Sequence, residues 1–211
     1  MMRVEIRADC VYIEGYVNAV GRDSRPISSP KGKFIEQIVP KTFAKSLQRK
    51  PDVELRFNHR ENRRLGSTTT GEIDLYEDNI GLRAKCTVTD PEVIEKARNK
   101  ELRGWSFGFY TNKDKWEDTD MGMQRRFLED IDLIEVSLLD KTPAYIATSI
   151  EQRGDEENAV ESRAFEDESE VVNLSEKEGK PLKTKEHRNL LDAQKREFEF
   201  LKMKGGKYNE K

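Results

Sequence analysis

The sequence holds two histidines, and only one sits where a fold could use it: His59, in Arg56-Phe57-Asn58-His59-Arg60 at the end of a β-like run. Imidazole is the side chain whose proton exchange falls near neutral pH, so it is the first candidate for a general base. Histidine alone is more often a surface or hydrogen-bonded structural residue, and other groups must support the reading. The segment Gly104-Trp105-Ser106-Phe107-Gly108-Phe109 offers one. In a strand, Trp105, Phe107 and Phe109 face one side and Ser106 and Gly108 the other. A rigidly anchored hydroxyl then stands beside a glycine, where a substrate backbone could approach. The blander reading is a half-buried strand whose outer face happens to be small. A third feature is Ile131-Asp132-Leu133-Ile134-Glu135-Val136-Ser137-Leu138-Leu139, in which strict alternation puts Glu135 on the face of Leu133 and Leu139. A carboxylate among apolar neighbours needs a partner, either an arginine or an imidazole. Asp132, on the opposite face by the same count, is the competing carboxylate.

The elements that must hold these groups are mainly strands. Alternating or β-rich apolar runs span 3–7, 10–20, 34–39, 53–57, 71–76, 81–88, 104–110 and 126–139, and Glu77-Asp78-Asn79 reads as a hairpin turn. Asp90-Pro91 predicts a capped short helix through Ala97, with Asp90 as cap and Pro91 in the first turn. Residues 41–49, KTFAKSLQR, predict a second, with Phe43 and Leu47 on one face. The expected fold is mainly β, of the α+β class, over residues 1–150. Residues 151–182 are charged and without apolar period, which predicts a disordered linker. Residues 183–211 place Leu190, Leu191, Gln194, Phe198 and Leu201 at roughly helical spacing. That tail is expected to be an amphipathic helix docking on a partner or on another copy.

Composition agrees with one domain plus an appendage: 35% of the 211 residues are hydrophobic and 37% charged, against about 45–50% and about 25% in ordinary domains. Residues 1–150 carry 25 acidic and 25 basic groups, a balance without the basic excess that nucleic-acid binding draws on. No apolar run has the length of a membrane span, and the N-terminus lacks a signal-like apolar region. A soluble intracellular protein is expected, with no membrane or nucleic-acid partner. Cys10 and Cys86 are too few for a disulfide framework or a zinc site and read as reduced thiols. With one histidine in the domain and no cysteine cluster, a metallohydrolase lacks ligands, and neither metal nor cofactor is expected.

The order of these segments resembles the prohead proteases of tailed phages and, more distantly, the herpesvirus capsid-assembly proteases. The match runs over roughly residues 10–148: Gly15-Tyr16, then Phe34 to Phe43, Asn58-His59, Leu65-Gly66, Gly81-Leu82, the Gly104 to Phe109 segment, Glu135-Val136-Ser137-Leu138 and Pro143-Ala144. It departs from the family's Pro-Gly-Ala-Phe-like pattern at Lys41 and Thr42. The resemblance implies a partly open β-barrel flanked by short helices, with Ser106 as nucleophile, His59 as base and Glu135 orienting the imidazolium. Arg125-Arg126 and the backbone near Ser106 are candidates for oxyanion donors. The implied task is to cut the scaffold domain of the major capsid protein or a separate scaffolding protein, and the chain's own tail, inside the immature prohead of a bacteriophage in the host cytoplasm. The rival reading is a non-catalytic capsid-assembly module that binds scaffold or coat protein; it has no need of all three side chains.

Overall fold

A computed structural model describes residues 2–29, 32–120, 122–140, 160–166 and 169–174. The strands are β1 (Met2–Ile6), β2 (Val11–Ala19), β3 (Ile27–Ser29), β4 (Gly32–Ile38), β5 (Glu54–Phe57), β6 (Arg64–Ser67), β7 (Ile73–Glu77), β8 (Gly81–Val88), β9 (Gly104–Asp118), β10 (Gln124–Leu139), β11 (Glu161–Glu166) and β12 (Ser169–Asn173), with helices α1 (Thr42–Arg49) and α2 (Pro91–Arg98). One sheet runs β12-β1-β2-β8-β7; the other runs β11-β9-β10-β4-β3, with β5 on β10 and β6 on β5. The mainly β expectation holds. Neither sheet is closed into a barrel among the described residues.

Every β-like run found in the sequence is a strand, because alternation of apolar and polar residues is what a half-buried strand requires. In β2 that alternation is regular from Val11 to Val17, each apolar residue buried and each polar one half-buried. The sheets meet where β2 crosses β9: a Cβ added at Gly15 would lie 2.9 Å from Trp105 Nε1 and 3.3 Å from the Met2 Cα. Glycine is therefore required there by close approach. Behind β9, Phe107 packs edge-on against Phe43 of α1 at 5.4 Å and stacks with Phe109 at 5.3 Å.

Both short helices form where expected, with different caps. Asp90 accepts from the backbone N–H of Glu92 and Val93 at 3.0 and 3.1 Å, with Pro91 in the first turn. Helix α1 has no side-chain cap of its own, since Lys41 lies in the left-handed region. The Glu77 carboxylate at the end of β7 takes its place, accepting from Lys41 N at 2.5 Å and Ala44 N at 2.8 Å. A negative charge at these free N–H groups also opposes the helix dipole favourably.

The expected disordered linker is corrected over part of its length. Strand β11 pairs antiparallel with β9, Glu161 opposite Phe109 through Glu166 opposite Gly104, and β12 pairs parallel with β1. Composition misleads here because a short segment need not build a core: it can borrow backbone partners from existing sheet edges. The amphipathic tail, His187 and the remainder of the linker lie outside the described residues.

Candidate active site

His59 owes its position to an unusual turn. Asn58 and His59 follow β5 directly with φ of 54° and 58°, and Arg60 N donates to Phe57 O at 3.2 Å. Positive φ at both central residues is the mirror-image turn class, uncommon without glycine. Its surroundings over-determine it. Asn58 donates through Nδ2 to Asp140 Oδ1 at 2.9 Å and accepts from Asp140 N at 3.2 Å; Asn58 N donates to Leu138 O at 2.9 Å. Lys96 of α2 holds Asp140 at 3.2 Å from the other side. Strain of this kind costs about 1–3 kcal/mol and clusters at functional sites.

From that turn, His59 Nδ1 donates to Glu135 Oε1 at 2.5 Å. The Glu135 side chain is 4% exposed and His59 26%, so the carboxylate is buried while the ring reaches solvent. The second carboxylate oxygen, Oε2, accepts from Ser137 Oγ at 2.6 Å, and Ser137 Oγ accepts in turn from His59 N at 3.1 Å. Ser137 thus bonds both partners. Sequence reading passed over it as part of a motif, although its place two residues after Glu135 put it on the same strand face. With Nδ1 committed to Glu135, Nε2 is the nitrogen left to receive a proton.

The route by which Glu135 reaches this face corrects the alternation count. The β9–β10 ladder pairs Leu133 with Phe109, then Glu135 with Gly108, with a register shift between them. One extra residue turns Glu135 away from the core face of Leu133 and onto the face of Ser106, Gly108, Ser137 and Leu139. Beside the shift, Leu133 N donates to Ser46 Oγ of α1 at 2.7 Å. Asp132 pairs with Tyr110, so both carboxylates lie on the Ser106 side and position along the strand separates them. Asp132 binds Arg49 at 3.0 Å and Lys50 at 3.2 Å. Burial raises its pKa, but these cations outweigh burial and leave it below the ordinary carboxylate range.

Gly108 is also reinterpreted. A Cβ there would lie 2.8 Å from Glu135 Oε1 and 3.1 Å from its Cγ, so the open space is taken by the Glu135 side chain rather than by substrate. Ser106 pairs directly with Ser137, and directly opposed residues share a face with Cα atoms about 4.5–5.5 Å apart. The serine is one strand from the His59–Glu135 pair. Among the described hydrogen bonds its hydroxyl donates to Arg163 O of β11 at 2.7 Å, not to His59, and Ser106 is fully buried. Arg125 and Arg126 lie far along β10, opposite Glu117 and Trp116, with β4 on their other side. Both sides of the backbone are paired there, and it cannot supply an oxyanion hole at Ser106. No group of side chains fit to hold a metal occurs among the described residues, and none of their helices is long and apolar enough to cross a membrane.

A histidine oriented by a buried carboxylate, one strand from a serine on the same sheet face, is the equipment of a serine hydrolase. The chain belongs to the caudovirus prohead serine protease family, whose pattern it matches over residues 2–163. No curated protein and no solved structure matches it. Of the two classes weighed from sequence, family membership is that of the enzyme: a serine peptidase with a proteolytic role in prohead maturation, acting on capsid or scaffold components.

Proposed function

We propose that Ser106 is the nucleophile, His59 the general base and Glu135 the residue that orients it. The observation that carries this reading is the 2.5 Å contact between His59 Nδ1 and the buried Glu135 carboxylate, on the sheet face that also bears Ser106. In the reaction, Ser106 Oγ attacks the scissile carbonyl and His59 Nε2 takes its proton. Glu135 stabilises the imidazolium and keeps the proton on Nδ1. His59 then protonates the leaving amine, and water releases the acyl group by the reverse sequence.

The substrate in this reading is the scaffold domain of the major capsid protein or a separate scaffolding protein, cut inside the immature prohead. Copies of the chain itself are further partners. The contact of β2 with β9 supports a partly open barrel as the frame. The test is incubation of purified chain with its phage's scaffold-bearing coat protein, beside Ser106→Ala. Wild type is expected to cut, and Ser106→Ala to lose on the order of 10⁴-fold or more while remaining folded. Equal cutting by the two proteins would remove Ser106 from the mechanism.

A further inference from the structure

The strand that covers the nucleophile is itself built like a substrate. Extended peptides are commonly recognised by adding a strand to an exposed sheet edge, and the edge of β9 over residues 104–109 carries Ser106. Strand β11 fills that edge in antiparallel register. Its Arg163 carbonyl oxygen lies 2.7 Å from Ser106 Oγ, which places the carbonyl carbon about 3.5 Å away from ordinary bond lengths and hydrogen-bond angles. That is near-attack separation.

The side chain of the same residue enters a formed subsite. Arg163 donates through Nε to Glu36 Oε1 at 2.6 Å and through Nη2 to Glu36 Oε2 at 2.7 Å, a two-pronged grip, and its guanidinium lies 5.2 Å over the Phe109 ring. Glu36, on β4, is 4% exposed. Two residues earlier on the same strand, Glu161 receives Arg126 Nη1 and Nη2 at 2.6 and 2.9 Å and Thr111 Oγ1 at 2.7 Å. Beneath β11 the body of the protein therefore sets an anion, Glu36, and a cation, Arg126, which also meet each other at 3.2 Å. The strand presents the complementary pair in the order Glu-x-Arg. Planar, two-pronged pairing suits arginine over lysine.

We infer, resting on Ser106 as nucleophile, that β11 occupies the substrate position of its own enzyme: Arg163–Ala164 is a self-cleavage bond, and Glu36 with Arg126 selects Glu-x-Arg segments. In the step, Ser106 Oγ bonds to the Arg163 carbonyl carbon and passes its proton to His59. The Arg163–Ala164 C–N bond breaks, and that proton goes to the new Ala164 amine. Water then hydrolyses the Ser106 ester and frees the Arg163 carboxylate. The hydroxyl that now donates to the carbonyl must first turn toward His59, so the resting strand is both occupant and block. Loss of the segment after Arg163 opens the edge of β9 over Gly104 to Ser106, and release of the new Arg163 end opens the rest to other chains.

The test follows full-length wild type, Ser106→Ala and Glu36→Gln by intact mass and N-terminal sequencing. Each is also given two peptides spanning residues 160–174, one native and one with Arg163→Gln. Wild type is expected to yield a new N-terminus at Ala164 and to cut the native peptide on the order of 100-fold faster than the glutamine peptide, because a site built for a polar group rejects an analogue that leaves it unpaired. Glu36→Gln is expected to lose most of that preference. The peptide comparison on wild type holds even if Glu36→Gln fails to fold. Cleavage of scaffold by wild type without an Ala164 terminus, or equal rates on the two peptides, would overturn the inference and leave the catalytic reading intact. An Ala164 terminus from Ser106→Ala would overturn the catalytic reading instead.

Discussion

At the scale of single residues, the catalytic reading proposed for His59 and Ser106 turns on how closely Glu135 is held. Its two oxygens have separate tasks, one on His59 Nδ1 at 2.5 Å and one on Ser137 Oγ at 2.6 Å. Glu135→Gln keeps the shape but removes the charge and presents a donor where an acceptor is needed, so kcat is expected to fall about 10⁴-fold, as such exchanges do in carboxylate-oriented triads. Asp132→Asn should cost little activity, since that carboxylate is occupied by Arg49 and Lys50. Equal loss from the two folded variants would undo the assignment. Gly108→Ala tests the same contact by steric means. Its new Cβ would meet Glu135 Oε1 at 2.8 Å, and displacing the carboxylate by about 1 Å should cost on the order of 100-fold in kcat with KM little changed. Wild-type kinetics from Gly108→Ala would show that Glu135 has room to spare.

Among the elements, the β2–β9 crossing carries the packing on which β9 is aligned. Gly15 sits against the Trp105 indole and the Met2 backbone, neither of which is the free end of a flexible chain. Gly15→Ala is therefore expected to destabilise by about 1–3 kcal/mol, the usual cost of overfilling a packed contact. Denaturant midpoints give the measure, and an unchanged midpoint would mean the sheets can separate there without penalty. The bulge between Leu133 and Glu135 belongs to this scale too. It is held by Ser46 of α1 accepting from Leu133 N, which links a helix on the core side to the aim of a carboxylate on the other.

For the molecule as a whole, the consequential contact joins the first 140 residues to a strand that begins at Glu161. Docking there is electrostatic as well as backbone-paired. Burial raises the Glu161 pKa, but Arg126, Arg163 and Thr111 outweigh it and hold the carboxyl down at about 2. A carboxyl lowered in the docked state favours docking fully above its free value, near 4.5, and that contribution is lost as pH falls toward about 2. Hydrogen-exchange protection factors of the β11 amides, taken in Ser106→Ala to prevent cleavage, should hold from pH 7 to 5 and drop between about 4.5 and 2. Protection that is lost on raising the pH from 5 to 7, or that persists unchanged to pH 2 in the folded protein, would contradict this placement of Glu161.

Local chemistry determined much of this protein in advance. Alternation fixed the eight main strands, Asp90-Pro91 fixed one helix start, and scarcity of histidine singled out His59. Spacing within one strand placed Trp105, Phe107 and Phe109 in the core, with Ser106 behind them. Those properties are local, set by side-chain period and backbone preference within a few residues. The tertiary structure decided the rest. Strict period-2 counting put Glu135 on the face of Leu133 because a bulge leaves no mark in apolar and polar alternation; it exists only against the partner strand. Ser137 and Glu36 looked unremarkable until folding brought Glu135 and Arg163 to them. Strands β11 and β12, within the segment read as disordered from its composition, form because their hydrogen-bond and ion-pair partners lie on β1, β4, β9 and β10, and a buried Glu-Arg network has no signature in either half of its sequence. Pairings between distant segments carry their free energy only when both sides are present.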